Sequence, residues 1–265
     1  MPELPEVETA RRMAHAQVVG HRIVTAKAAR DTIVFDGASP RAFAAAVRGR
    51  TVTGTDRRGK YQWLELDTRP WPVFHFGMTG DFHVLREGDA SPRFAKCELV
   101  FDHGVRVVMT DPRRLGRIRL AMDPLAEPPV SRLGFDVLLQ LPSARRFASL
   151  LRERKAPIKA VLLDQSFAAG VGNWIADEAL YQAGLDPRRR ACDVSEAEAA
   201  RLRSRLRSIV QHACAVGADD ARFPQTWLFH HRWGRVAGSA VHGGHVIEHI
   251  TVGGRTTAWV PGKQQ

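Results

Sequence analysis

The sequence predicts an α+β protein: an N-terminal β-sandwich with flanking helices, followed by a helical C-terminal domain that ends in a β-hairpin. Three observations predict this. From His21 to about Ala121, apolar residues alternate in short runs separated by Gly, Pro and Asp, the pattern of half-buried strands. Pro124, Pro128 and Pro129 then interrupt the chain. Beyond them apolar residues recur at helical spacing until Val246, where strand-like alternation returns around Gly253-Gly254. The expected boundaries are residues 1–123 for the sandwich, 131–222 for the helical domain and 223–265 for the terminal hairpin.

The elements follow in order. Glu6 to Val19 carries Val7, Met13, Ala14 and Val18 at helical spacing, and Gly20 ends it. Strands are expected at Val52-Thr53-Gly54, Tyr61 to Leu66, Val73 to Phe76, Phe82 to Leu85, Glu98 to Phe101 and Val105 to Met109. Asp102-His103-Gly104 makes a hairpin turn between the last two. One helix, about Arg41 to Arg48, interrupts the sheet. In the second half the expected helices are Ser143 to Glu153, Pro157 to Asp164, and Asn173 to Gln182 before Gly184. A fourth opens on the capping box Ser195-Glu196-Ala197-Glu198 and presents Leu202, Leu206, Ile209, Val210 and Ala213 on one face. Val246 to Val252 and Arg255 to Val260 form the closing hairpin.

Composition narrows the partner. The 265 residues hold 39 Lys and Arg against 28 Asp and Glu, a formal net charge of +11, which suits a polyanion. The basic residues also cluster, in Arg57-Arg58-Gly59-Lys60, Arg113-Arg114-Leu115-Gly116-Arg117 and Arg188-Arg189-Arg190. No apolar run reaches the length of a membrane span and the first residues lack a signal-peptide core, so the expected location is the cytoplasm, at the nucleoid. Cys97, Cys192 and Cys214 are isolated thiols, read as reduced packing residues.

The opening Met1-Pro2-Glu3-Leu4-Pro5-Glu6-Val7-Glu8 offers a nucleophile. Removal of Met1 leaves Pro2 with a free secondary amine, and α-amino groups titrate near ~7.7–8.0, so much of it is unprotonated at neutral pH. Such an amine condenses with a carbonyl-like carbon to an iminium, and Glu3 beside it can move protons. The same residues also make an ordinary helix start with acidic side chains toward the dipole. Ala169-Gly170-Val171-Gly172-Asn173, between two helices, is either a plain tight turn or a helix–two-turn–helix phosphate cradle. Two Gly-flanked loops, His75 to Gly80 and Asp111 to Gly116, offer Met78, Arg113 and Leu115 as wedges for a base stack; a Met in such a place is equally core filler.

Taken in order, PELPEVE, RRGKY at Arg57 to Tyr61, HFGMTG, TDPRRLG, IKAVLLDQ and GVGN resemble the formamidopyrimidine-DNA glycosylase and endonuclease VIII family over nearly the whole chain, closer at the start to the formamidopyrimidine branch. The resemblance implies an enzyme that clamps double-stranded DNA containing oxidised bases or abasic sites, flips the damaged nucleotide, excises the base and cuts the strand. It implies Pro2 as nucleophile, Glu3 as proton shuttle, and Glu6 and Glu178 as supporting acids. Lys60, Gly172, Asn173 and Arg255 would grip phosphates, Met78, Arg113 and Leu115 would fill the void, and Lys159 matches a lysine linked with purine lesions. A noncatalytic damaged-DNA-binding relative is the alternative. A monomer is expected.

The sequence departs from the family at its end. Family members usually carry four zinc-binding cysteines there, whereas no cysteine follows Cys214; aligned on Arg255, the ligand positions fall near Ala240, Gly243, Val260 and Lys263. A zincless finger without any cofactor is therefore expected, with His242, His245 and His249 as a polar hairpin face. Leu115 in place of the branch's usual phenylalanine, and a short segment between Gly217 and Arg232, leave the preferred lesion open.

Overall fold

The computed structural model describes residues 2–233 and 244–265, and the chain divides into two compact units, Met1–Arg132 and Leu133–Gln265. The first unit opens with α1 (Leu4–Val18). Pro5 in its first turn lacks the N–H that the helix would leave unpaired anyway, and Gly20, at φ +86°, lets the chain turn away. The buried face of α1 holds Leu4, Val7, Ala10, Ala14 and Val18.

Two four-stranded antiparallel sheets follow. β1 (Ile23–Ala28), β5 (Asp81–Leu85), β6 (Ala95–Phe101) and β7 (Arg106–Thr110) form one, in the order β1-β6-β7-β5. β2 (Val52–Arg58), β3 (Tyr61–Leu66), β4 (Trp71–His75) and β8 (Arg117–Ala121) form the other, in the order β2-β3-β4-β8. Their inner faces share one core with α1 and with α2 (Pro40–Val47), including Ile23, Phe43, Leu64, Phe74, Phe101, Val107 and Ile118. The expected hairpin turn at 102–104 joins β6 to β7, closed by the Gly104 N–H on the Phe101 carbonyl at 3.0 Å.

Two strands lie outside the expected set. β1 buries fully only Ile23 and so carries no clean strand signal, whereas β8 alternates Arg117 and Arg119 with Ile118 and Leu120 but directly continues the Arg113 to Arg117 basic cluster. β2 runs four residues beyond Gly54, because Arg57 turns inward to meet Glu8 of α1 instead of ending the strand as a charged residue.

The second unit packs α3 (Ala144–Arg152) and α5 (Asn173–Ala183) on the long α6 (Glu196–Ala215), with α4 (Ile158–Leu163) beside α5. The Ser195 to Glu198 capping box opens α6 as expected, and Gly184, at φ +68°, closes α5. A two-residue parallel pair, β9 (Phe135–Asp136) with β10 (Ala168–Ala169), was not legible in the sequence. The closing hairpin is β11 (Glu248–Val252) with β12 (Arg255–Trp259), in register from Val252 opposite Arg255 to Glu248 opposite Trp259. Among the described residues no helix is long and apolar enough to cross a membrane.

Candidate active site

The start of α1 gives each acidic residue of the opening motif a different task. Pro2 is half-buried and Glu3 is buried immediately behind it. Glu6 spends a carboxylate oxygen on the Glu3 backbone N–H at 3.0 Å, which holds the Pro2-Glu3 junction in place. Glu8 is buried and points the other way, taking Arg57 at 3.1 Å, Arg11 at 2.9 Å and Arg12 at 2.7 Å. Burial opposes its ionisation, but the hydrogen bonds and charges of Arg11, Arg57 and Arg12 outweigh burial and hold its carboxyl at about 2.

The Glu8 and Arg57 pair has a second effect. Arg57 also donates to the Gly59 carbonyl at 2.8 Å, so the turn that presents Lys60 is braced against α1. Arg57, which the sequence places in a basic cluster aimed at a polyanion, is thus an internal brace, 2 % exposed. Lys60 itself is half-buried at the start of β3.

The two Gly-flanked loops lie in this same unit. Met78 is half-buried, whereas Arg113 and Leu115 are exposed. Between them Arg114 has a left-handed backbone at φ +57° and turns its guanidinium back onto Asp31, at 2.9 and 3.1 Å. Such a conformation is disfavoured for a residue with a Cβ, so the ion pair offsets local strain and aims its two neighbours outward. The Arg113 guanidinium has no partner among the described residues. Burial opposes ionisation of Asp31, but Arg114, Lys96 and the Val34 N–H overcome it and hold the carboxyl well below the usual range.

In the second unit the 164–172 loop is knitted by Gln165, the last residue of the IKAVLLDQ motif. Its amide donates to the Leu163 and Val171 carbonyls at 2.8 Å and accepts the Gly170 N–H at 3.1 Å. Gly172 caps α5 and is buried, and the Asn173 side chain donates to the Thr256 carbonyl at 2.9 Å. Asn173 therefore sits against the hairpin strand next to Arg255, whose exposed guanidinium has no partner among the described residues.

Lys159 departs from its expected role as a DNA contact. Its side chain is 0 % exposed, paired with Asp177 at 2.6 Å and bonded to Thr257 Oγ1 at 2.7 Å and the Thr256 carbonyl at 3.2 Å. Asp177 also takes Arg232 at 2.8 Å and the Ala258 N–H at 3.2 Å. A fully enclosed ammonium has no surface to offer a phosphate or a base, so Lys159 acts on the hairpin from within. Glu178, next in α5, is buried as well; it accepts the Phe229 N–H and a Gln182 amide hydrogen, each at 2.8 Å. Burial raises its carboxyl to about 7.

The Arg188 to Arg190 cluster, by contrast, is paired with carboxylates at the surface. Arg188 meets Asp186 at 3.0 Å, Arg189 meets Glu198 at 2.7 Å and Arg190 meets Asp193 at 2.8 Å. The thiols fit the packing role: Cys97 and Cys214 are buried, and burial pushes the Cys97 thiol up, away from a reactive thiolate.

The hairpin does not fit zinc at the positions described. Val260 is fully buried with Leu228, Ile247 and Ala258, and the Lys263 ammonium lies 5.3 Å above the Tyr181 ring. Neither is a zinc donor. His249 bonds to the Arg232 carbonyl at 3.2 Å and the His245 ring lies near Gly262, while Ala240, His242 and Gly243 fall outside the described residues. Among the described residues His21, Asp102 and His103 bring three potential ligand atoms within 4.8 Å of one another. Their imidazoles are stacked 3.5 Å apart and nearly parallel, so one ion cannot lie in both ring planes, and the group reads as two histidines sharing a carboxylate.

These features have counterparts in known proteins. The formamidopyrimidine-DNA glycosylase N-terminal domain matches residues 1–118, and the H2TH domain of the same proteins matches residues 133–225. The formamidopyrimidine-DNA glycosylase of Arabidopsis thaliana is 38 % identical over 278 aligned positions, covering 100 % of this chain and 71 % of that protein. That of Pelobacter propionicus is 31 % identical and covers both chains completely. Among solved structures, the Lactococcus lactis formamidopyrimidine-DNA glycosylase non-covalently bound to DNA containing an AP site superposes with a TM-score of 0.87, at 25 % identity over 99 % of each chain. Its complex with DNA containing FAPY-dG gives 0.86. With both domain models matched and relatives 31 and 38 % identical along the whole chain, this chain belongs to the formamidopyrimidine-DNA glycosylase family.

Proposed function

We propose that the protein is a bifunctional glycosylase and abasic-site lyase that acts as a monomer on duplex DNA carrying oxidised bases or abasic sites. The observation that carries this reading is the start of α1, where Pro2 precedes a buried Glu3 whose backbone is held by Glu6, on a helix braced through Glu8 and Arg57 to the turn of Lys60. A noncatalytic binder has no use for a secondary amine set so deliberately.

The chemistry follows from that amine. With Met1 removed, the Pro2 nitrogen attacks C1′ of the deoxyribose, the glycosidic bond breaks and the base departs with its electron pair. The attacking nitrogen gives up its proton to Glu3, which delivers it to the ring oxygen as the sugar opens to an iminium, and the departed base takes a proton from water. The cationic iminium acidifies the 2′ hydrogen; its loss expels the 3′ phosphate, and a second elimination expels the 5′ phosphate. Hydrolysis of the iminium returns the amine. The exposed Arg113 and Arg255, with Lys60, supply positive charge toward the strand phosphates and the orphaned base. No step calls for a metal or other cofactor.

Borohydride trapping on a duplex with a single abasic site tests the assignment. The wild type is expected to yield a covalent protein–DNA adduct and Pro2→Gly to yield none. An adduct of undiminished amount in Pro2→Gly would remove Pro2 as the nucleophile.

A further inference from the structure

The two wedge-bearing loops share one buried side chain to which no role has been given. Asp111 is 0 % exposed. One carboxylate oxygen accepts the Thr79 hydroxyl at 2.9 Å and the Arg113 N–H at 3.2 Å; the other accepts the Gly116 N–H at 2.7 Å. Thr79 directly follows Met78, while Arg113 and Gly116 bracket Leu115 from either side. A single carboxylate therefore holds the first loop by a side chain and the second by two backbone amides.

The backbones confirm that the loops form one body. A Cβ on Gly77 would fall 2.4 Å from the Leu115 carbonyl carbon and 2.6 Å from the Gly116 nitrogen, and one on Gly116 would fall 2.9 Å from the His75 carbonyl oxygen. Neither glycine has room for a side chain, so the loops lie main chain against main chain. Arg114 ties the outer edge of the second loop to Asp31.

We propose that Asp111 is a positioning residue that locks the Met78 loop to the Arg113 and Leu115 loop, so that the three side chains enter the base stack as one rigid wedge. The proposal rests on the glycosylase reading above. A wedge must resist the stack that it parts, and a loop that gives way by about 1 Å costs on the order of 100-fold in rate where geometry decides the step. Asparagine keeps the shape of Asp111 but offers one acceptor in place of two. An NH2 group must then face either the buried Gly116 N–H or the part-buried Arg113 N–H, and one backbone amide of the second loop loses its partner.

The test compares two substrates. Single-turnover cleavage of an abasic site is measured in duplex DNA and in the same strand alone, where no stack has to be parted. For Asp111→Asn the ratio of duplex to single-strand rates is expected to fall about 100-fold, as a misplaced wedge requires. Thr79→Val cuts only the link between the loops, leaves the second loop's amides paired, and is expected to lower the same ratio to an intermediate value; it also decides the question if Asp111→Asn does not fold. An unchanged ratio overturns the proposal, whether both rates hold or both fall together, since general loss of structure lowers the two alike. A wild type that cleaves neither substrate overturns the enzymatic reading itself, which is a distinct result.

Discussion

Replacement of Asp177 by asparagine should be among the most damaging isosteric changes in the second unit. The substitution barely alters volume, but it removes a carboxylate paired with two buried cations, Lys159 at 2.6 Å and Arg232 at 2.8 Å. The Lys159 side chain is 0 % exposed and that of Arg232 6 %, so neither can turn to water without opening the protein. Breaking a buried pair by removing one partner costs ~3–5 kcal/mol, because a charge is left unpaired in a weakly polar interior. An exposed pair costs only ~0.2–1 kcal/mol. Lys159→Met should cost less than Asp177→Asn, since Asp177 keeps Arg232 and the Ala258 N–H. Urea unfolding followed by tryptophan fluorescence measures all three proteins, and moderate salt should not erase the difference, because buried pairs are poorly screened. A loss below ~1 kcal/mol for Asp177→Asn would mean that the cluster behaves as a surface pair, and the account of how the hairpin is held would fail.

Two further outcomes are expected. Glu178→Gln should stabilise the protein at pH 8 and leave it unchanged below pH 4.5. The folded carboxyl titrates near 7 rather than 4.5, so between these values the folded state holds more protons than the unfolded one and wild-type stability falls as pH rises. At ~1.4 kcal/mol per unit the gain at pH 8 is at most ~3 kcal/mol, and equal stability of both proteins at pH 8 would show that Glu178 ionises freely. Chelation should leave strand cleavage intact and elemental analysis should find no stoichiometric zinc; loss of activity that zinc restores would refute the metal-free reading of the hairpin.

Much of the architecture was legible because it is written in local patterns. The α6 capping box, the 102–104 turn and the Gly253-Gly254 hairpin each lie within a few residues, where backbone chemistry alone decides. β1 was not legible, since it buries only Ile23 fully and one side chain cannot set a period, and β8, although it alternates, merges with the basic cluster before it. Asp111 stood in plain view within a motif, but nothing in a motif says which side chain faces inward.

The sequence by itself determined the family and most of the order of elements, and it marked Pro2 and the loops of Met78, Arg113 and Leu115 as candidates. Only the tertiary structure decided which cations are available to a polyanion. Arg113 and Arg255 are exposed without partners among the described residues, Arg57 and Lys159 are buried against carboxylates, and Arg114 and the Arg188 to Arg190 run are paired with carboxylates at the surface. For Arg57 and Arg114 the reason is distance along the chain. Glu8 lies 49 residues from Arg57, and Asp31 lies 83 from Arg114. A charge is neutralised by whatever folding brings within hydrogen-bond reach, and no local pattern of residues records that encounter.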